Sequence, residues 1–237
     1  MAAAQTPQPT IYFGYGSNLW LHQMRIRCPT STYLGIARLN NYKWLINDRG
    51  YANVVEVPKS QRHHPQKDNT TTGKYSNVVF GLVYTLQPSD EQRLDKNEGV
   101  PIAYTKELLP CDFWSSSPSS SPSTTSPHHH HKVDTSKPPT TAGREMLVYI
   151  DRERVTPDEP KEEYIYRMNK GIADAVDMGV PERYVEEVMR KFIPEPVGEG
   201  KGERDDKTKS MEDLRKSVEE FAARQAASFR DESGVFE

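Results

Sequence analysis

The sequence is poor in cysteine, has no excess of basic residues and contains no long apolar run. Its two cysteines, Cys28 and Cys111, stand far apart without a C-x-x-C partner, so neither a disulfide framework nor a zinc finger is indicated. The formal net charge of -3 argues against nucleic acid or an anionic membrane as a necessary partner, because both require a concentrated basic face. No apolar stretch approaches the ~18 residues of a membrane-spanning helix, and the first residues lack the features of a signal peptide. We therefore expect a cytoplasmic protein that acts on a small molecule.

Hydrophobic residues are also scarce. They make up 35% of the 237 residues, and the mean hydropathy of -0.81 is too polar for one compact core. We expect a flexible N-terminus at residues 1–9, a folded domain at 10–194, and a charged linker with a tail helix at 195–237. Within the domain, the Ser, Pro and Thr-rich residues 115–143 predict a disordered insertion. The histidines inside it, and the pair His63 and His64, are weak indications of metal binding, so we expect no metal site.

The rest of the chain alternates between strand and helix patterns. Runs of β-branched and aromatic residues predict strands at 33–39, 42–46, 52–57, 77–86, 102–113 and 144–150, and the apolar run 77–86 should be central. A helix is expected to open near Pro88, with Ser89 or Asp90 as its cap, and to end at Gly99. Helical spacing also predicts helices over 162–177, ending at Gly179, and from Pro181 to before residue 194.

The most distinctive stretch is residues 11–20, with the sequence IYFGYGSNLW. Its aromatic half favours a strand, whereas the glycines and the Ser-Asn pair favour a tight turn with accessible backbone N–H groups. Such a loop suits anions and developing oxyanions. A dinucleotide-binding loop is set aside, because Leu19 stands where that motif requires its third glycine. The alternative is an ordinary turn at the end of a strand.

A second informative stretch is residues 94–100, with the sequence LDKNEGV. A carboxylate in the last turn of a helix faces the negative end of the macrodipole, so Glu98 is locally unfavourable by a few tenths to ~1 kcal/mol. A residue that violates a local preference is a candidate for function, and burial there would raise its pKa toward the range of a general acid and base. Asp95, one turn earlier, is the rival candidate, and a frayed surface glutamate is the alternative interpretation.

Together, residues 13–19 (FGYGSNL) and residues 94–100 resemble the γ-glutamylcyclotransferase family. Residues 35–39, the pair Tyr42 and Lys43, and three later tyrosines also follow that family's order. The resemblance covers roughly residues 11–193, and the insertion at 115–143 is the main departure from it.

The resemblance implies an α+β fold, namely a small mixed β-barrel flanked by helices, and an enzyme without metal or organic cofactor. It implies that Glu98 is the acid and base, and that the loop and three tyrosines bind the substrate; these residues are Tyr15, Gly16, Ser17, Asn18, Leu19, Tyr104, Tyr149 and Tyr164. The reaction would release 5-oxoproline from a γ-glutamyl amino acid or a related conjugate. γ-Glutamylamines, glutathione-derived conjugates and a non-catalytic binding role are the alternatives. The oligomeric state is open, and a homodimer is one of the options.

Overall fold

A closed barrel of five strands and a separate two-stranded sheet form the β structure of this protein, and helices surround them. The structure is a computed structural model that describes residues 8–62, 74–116, 132–196, 216–225 and 230. The strands are β1 (Thr10–Gly14), β2 (Thr32–Asn40), β3 (Tyr42–Ile46), β4 (Ala52–Glu56), β5 (Val78–Leu86), β6 (Thr105–Ser115) and β7 (Thr141–Ile150). The α-helices are α1 (Leu21–Arg27), α2 (Pro88–Asn97), α3 (Glu162–Met178) and α4 (Glu182–Glu187), and residues 216–225 form a tail helix.

The barrel has the strand order β1-β5-β2-β6-β7 and closes where β7 returns to β1. The closing pair is parallel, with Tyr12 opposite Leu147, whereas the other four pairs are antiparallel. β5 is buried along nearly its whole length because it lies between β1 and β2 and is packed on both faces. This mixed barrel with flanking helices confirms the predicted fold class. Because the barrel is closed, every strand has two neighbours, and β5 differs from the others in its burial.

Helix α2 begins where the sequence predicts, but its cap is different. Gln87, with extended backbone angles, is the N-cap, and Pro88 occupies the first helical position, where its missing N–H costs nothing. Asp90 is not the cap because its carboxylate accepts hydrogen bonds from the backbone and hydroxyl of Thr30, at 3.1 and 2.6 Å. At the other end, Gly99 has a φ of +62°, as expected of a residue that ends a helix.

The predicted disordered insertion at 115–143 is too long. Residues 141–143 belong to β7, and residues 132–140 are fixed against the domain. The backbone N–H of Val133 donates to the carbonyl of Met178 at 2.7 Å, and the indole of Trp114 donates to the carbonyl of Lys137 at 2.7 Å. Their polar composition misled the prediction, because backbone groups make these contacts. The four histidines at 128–131 lie outside the described residues.

Three other predictions fall wholly or partly outside the described ranges. These are residues 1–7 of the N-terminus, the histidine pair at 63 and 64, and most of the charged linker and tail. The described part of the tail, residues 216–225, is helical. No helix in the described part of the chain combines the length and the apolar character that crossing a membrane requires.

The attachment of residues 132–140 to the end of α3 can be tested at Gly179. This residue has a φ of +116°, and a Cβ there would lie 2.1 Å from the carbonyl oxygen of Val133. Gly179→Ala should lower the free energy of unfolding by about 3 kcal/mol, the sum of left-handed strain and a steric clash. Urea denaturation measures the loss.

Gly143 provides the matched control, since it has a φ of +64° but a Cβ added there would have no neighbouring atom within 4 Å. Gly143→Ala should cost only the backbone strain of about 1 kcal/mol. Equal losses in the two variants would contradict the packing of Val133 against α3.

Candidate active site

One cavity lies where the loop after β1, the end of α2, the start of β6 and the first turns of α3 meet. It has a volume of about 450 Å³ counted out to its open mouth. Its wall contains a glycine loop, six tyrosines, two arginines and one glutamate. The lining residues are Tyr12, Tyr15, Gly16, Ser17, Asn18, Arg27, Tyr51, Ala52, Asn97, Glu98, Tyr104, Tyr149, Tyr164 and Arg167.

The structure brings together eight of the nine predicted site residues. Glu98, the three later tyrosines and the loop residues 15–18 all line this cavity. Leu19 is not among the residues that line it, and its predicted role in the site stays a prediction. Its side chain is fully buried, and a Cβ on Gly171 of α3 would lie 3.0 Å from its own Cβ. Leu19 therefore anchors the loop to the core, as an apolar side chain favours.

The loop is a short 3-10 turn (Ser17–Leu19), and two of its amides are already engaged. The N–H of Leu19 donates to the carbonyl of Gly16 at 2.9 Å, and the N–H of Ser17 donates to the Tyr164 hydroxyl at 3.2 Å. Fewer backbone N–H groups of the loop are therefore accessible than predicted. Those of Gly16 and Asn18 remain as candidate donors to an anion or oxyanion. A Cβ on Gly16 would lie 2.9 Å from the Tyr164 hydroxyl, so this tight contact requires glycine.

Asn18 connects the loop to the glutamate. Its side-chain NH₂ donates to the Tyr12 hydroxyl at 2.8 Å and to Glu98 Oε1 at 3.0 Å. Its side-chain oxygen accepts from Gln23 at 2.8 Å and from Arg27 at 3.2 Å. The residue is only 4% exposed and both ends of its amide are bonded, so it holds the carboxylate at a fixed place relative to the loop.

Glu98 follows α2 directly as its C-cap, with backbone angles of -88° and 0°. These angles lie in the bridge region, which is sparsely populated and common at active sites. The side chain is 17% exposed. Burial raises the pKa of Glu98 above its ordinary value, while Arg27 and the hydrogen bond from Asn18 oppose the rise. A raised pKa is what a carboxyl that both takes and gives a proton requires.

Arg27, at the end of α1, is the cation nearest to this carboxylate. Its Nη1 lies 4.0 Å from Glu98 Oε1, and its side chain is 2% exposed. Burial, aided by the neighbouring Arg167, lowers the pKa of Arg27 to about 10, so the guanidinium is still charged at neutral pH. It therefore stabilises the ionised form of Glu98.

Arg167 supports the loop from α3. Its guanidinium makes two hydrogen bonds to the Glu163 carboxylate, at 2.7 and 2.9 Å, and a third to Ser17 Oγ at 3.0 Å. The ion pair is buried, and a buried pair is stable only when its hydrogen bonds are satisfied in this way. Arg167 therefore holds the loop in position through Ser17.

The three predicted tyrosines line the cavity, but their hydroxyls bind the protein. Tyr104 donates to the carbonyl of Ala52 at 2.8 Å, and Tyr149 donates to Asp95 at 2.7 Å. Tyr164 accepts from the backbone amide of Ala52 at 3.2 Å as well as from the loop. Burial raises the pKa of Tyr164 to about 12, so this phenol is neutral. These hydroxyls fix the rings as walls of the cavity.

Asp95, the rival candidate for the acid and base, is outside the cavity. Its carboxylate accepts from Tyr149 and lies 3.1 Å from the ammonium of Lys106. Asp95 is not among the residues that line the cavity. The structure thus favours Glu98 over Asp95 by position.

Sequence reasoning missed six residues of the cavity wall, namely Tyr12, Arg27, Tyr51, Ala52, Asn97 and Arg167. Arg167 follows Tyr164 by three positions, so both project from one face of α3, and this spacing could have indicated it. Arg27 carried no such signal. Among the described residues, no group of three or more His, Cys, Asp and Glu side chains is arranged to hold a metal ion.

Comparison of the sequence with known proteins gives partial matches. No family model matches the chain. Two curated proteins named γ-glutamylcyclotransferase, from Bos taurus and Mus musculus, are 26% and 25% identical over 107 and 105 residues. Each alignment covers 41% of this chain and 48% of the relative, so the chain spans about half the length of the curated relatives it matches.

Comparison with solved structures extends over most of the chain. A crystal structure of the uncharacterized Homo sapiens protein loc79017 has a TM-score of 0.53 at 18% identity, covering 86% of this chain and 98% of that one. A structure titled γ-glutamyl cyclotransferase has a TM-score of 0.50 at 19% identity, covering 89% and 99%. The fold is thus that of the γ-glutamylcyclotransferase-like barrels. Part of the chain is thus similar in sequence to two proteins named γ-glutamylcyclotransferase, and most of it is similar in fold to these two structures.

The raised pKa of Glu98 leads to a prediction about stability. A group whose pKa is higher in the folded state stabilises the fold below its unfolded pKa, and this contribution is lost as the pH rises through the folded pKa. Glu98→Gln keeps the shape but removes the buried charge. The variant should therefore be more stable than the wild type at pH 7, and the difference should disappear as the pH falls below the ordinary carboxyl range. Urea denaturation across that range measures this, and a Glu98→Gln variant less stable at pH 7 would contradict the raised pKa.

Proposed function

We propose that this protein is a γ-glutamylcyclotransferase, which converts a γ-glutamyl amino acid or a related conjugate into 5-oxoproline and a free amine. The observation that carries this proposal is the bond from Asn18 to Glu98. It places a carboxylate with a raised pKa 3.0 Å from a residue of the glycine loop, on the wall of a partly enclosed cavity. The site offers a proton carrier and backbone donors at one place.

In the proposed reaction, the substrate supplies its own nucleophile. Glu98 takes a proton from the α-ammonium group, and the amine nitrogen attacks the γ-carbonyl carbon to close a five-membered lactam. The bond from that carbon to the leaving nitrogen then breaks as the Glu98 carboxylic acid returns its proton to the leaving amine. The ring nitrogen then loses its second proton to the Glu98 carboxylate, which passes it to the released amine to form an ammonium. The attacking nitrogen thus loses two protons and the leaving nitrogen gains two, so the reaction consumes neither acid nor base.

The loop would bind the oxygen on which negative charge develops. The backbone amides of Gly16 and Asn18 are the candidate donors, and one such donor typically contributes ~3 kcal/mol to stabilising a transition state. Because the Ser17 amide and side chain are held by Tyr164 and Arg167, the loop is fixed before substrate arrives. A fixed donor needs no reorganisation during the reaction.

The charges of the cavity suit the glutamyl group itself. Arg27 and Arg167 line the cavity beside Glu98, and Glu163 balances Arg167 from behind. The cavity is therefore close to neutral with Arg27 as the cation facing Glu98, which fits a substrate that carries an α-carboxylate next to an α-ammonium. The folded glutamyl chain would lie beside these two charges and approach its attack geometry.

A non-catalytic binding protein on the same fold is less well supported. That role would be favoured if Glu98 pointed away from the loop, whereas its carboxylate accepts a hydrogen bond from Asn18. γ-Glutamylamines and glutathione-derived conjugates differ from γ-glutamyl amino acids only in the leaving group, so they share every step above.

Replacing the proton carrier tests the proposed reaction. Glu98→Gln should reduce 5-oxoproline release from γ-glutamyl-alanine at least ~100-fold, since general acid and base catalysis contributes that much or more. Glu91→Gln is the matched control, because Glu91 lies on the same helix but faces Thr10 and Lys106 outside the cavity. Retention of full turnover by Glu98→Gln, or an equal loss in Glu91→Gln, would remove Glu98 from the reaction.

The pH profile gives a second test. Glu98 must be ionised to take the first proton, so kcat/KM should fall on the acid side as the pH drops through its pKa. Since Arg27 lowers that pKa, Arg27→Met should move the acid limb to higher pH. Arg183→Met, at an exposed arginine paired with Glu187, should leave the limb in place. If Arg27→Met leaves the acid limb unchanged, the limb reports the ionisation of a group other than Glu98.

A further inference from the structure

The tail helix packs directly against the wall of the candidate active site. Ala222 is fully buried in this contact, and the guanidinium of Arg27 donates to the backbone carbonyl of Gln225 at 2.8 Å. Arg27 thus bonds the tail helix through Nη2 and the glycine loop through Nη1. The tail helix is therefore part of the surroundings of the site.

A second cavity lies between the tail helix and the start of α3. Its volume is about 830 Å³ counted out to its open mouth. Val218, Phe221 and Arg224 of the tail helix form one wall, and Tyr51, Lys161 and Glu162 lie on the other.

The two cavities are adjacent. Tyr51 lines both of them, and its ring contacts the ring of Tyr164 edge to face at 5.1 Å between centroids. The buried ion pair behind the loop also lies between them, since Arg167 lines the first cavity and Glu163 lines the second. Tyr51 and the Arg167–Glu163 pair thus belong to the walls of both cavities.

The chemistry of the second cavity suits one class of group. Val218 and Phe221 offer apolar surface, and the guanidinium of Arg224 lies 5.6 Å from the centre of the Phe221 ring. Lys161 and Arg224 are cationic, and of the two acids in the wall, Glu163 is already neutralised by Arg167, which leaves the charge of Glu162. The net charge of the cavity wall is therefore positive, and it lies beside an apolar face. This combination suits a ligand that carries a carboxylate and an apolar side chain.

We propose that this second cavity, called here the tail pocket, binds the leaving amino acid of the substrate, with its carboxylate near Arg224 and Lys161 and its side chain against Phe221 and Val218. The proposal rests on the proposed cyclotransferase activity and narrows its substrates. The preferred class is a γ-glutamyl amino acid with a large apolar side chain and a free carboxylate. A simple γ-glutamylamine lacks the group that the two cations bind.

Three substrates of the full chain separate these contributions. γ-Glutamyl-phenylalanine has both the ring and the carboxylate, γ-glutamyl-phenethylamine has the ring alone, and γ-glutamyl-methylamine has neither. The methylamine compound fills the first cavity only, so its kcat/KM is the reference. The kcat/KM of both aromatic substrates should exceed this reference, and that of γ-glutamyl-phenylalanine should be the higher of the two.

The quantity to compare is the ratio of kcat/KM for each aromatic substrate to kcat/KM for γ-glutamyl-methylamine. Arg224→Gln should lower this ratio about tenfold for γ-glutamyl-phenylalanine, because one charge-assisted contact is lost, and should leave it unchanged for γ-glutamyl-phenethylamine. Phe221→Ala should lower both ratios. Val218→Glu, which places a negative charge in the tail pocket without removing a buried ring, should lower the ratio for the carboxylate substrate more than the other. Arg183→Gln, a change of an exposed arginine on α4, is the control and should keep both ratios.

The outcomes distinguish the two proposals. Equal kcat/KM for all three substrates in the wild type, or a loss in Arg224→Gln that is the same for both aromatic substrates, would overturn the tail pocket while the cyclotransferase activity stands. Absence of 5-oxoproline from all three substrates in the wild type would overturn the activity itself, and the tail pocket with it. Circular dichroism of Phe221→Ala and Val218→Glu shows whether each variant is folded before its ratios are compared.

Discussion

The hydrogen bonds of one buried side chain, Asn18, hold the candidate site together. Its amide joins the loop after the first strand to a carboxylate eighty positions later and to the end of α1. A buried amide is stable only when its donors and its acceptor are all bonded, so the positions of Glu98, Gln23 and Arg27 are coupled through it. The barrel brings the loop and α2 close, and Asn18 fixes the distance between them.

Local patterns were sufficient to predict most of the elements. The β-branched and aromatic run of β5 specified a buried strand, and Gly99 and Gly179, both with positive φ, end α2 and α3 as predicted. These signals lie within a few residues of one another, and a local conformational preference is enough to generate them. That the loop around Ser17 would meet Glu98 was implied by the resemblance to the γ-glutamylcyclotransferase family.

What the sequence did not reveal depends on partners far along the chain. Arg27 and Arg167 become part of the site only because the fold brings α1 and α3 to the same cavity. Leu19 was expected to bind substrate because it belongs to the motif, but its apolar side chain is drawn into the core beside Gly171. Residues 132–140 looked like the polar insertion before them, since nothing local indicates that backbone groups will bind Trp114 and the end of α3.

The parallel pairing of β1 with β7 determines when this site can be assembled. The strand that leads into the glycine loop finds its last neighbour only at Leu147, far along the chain. As a ribosome releases the protein from its N-terminus, the loop and Glu98 emerge well before β7, which brings Tyr149. Until that strand arrives, the first strand keeps an unpaired edge, and such edges invite association with other chains. The nascent chain therefore passes through an interval in which its most distinctive segment is complete in sequence but has no finished barrel around it.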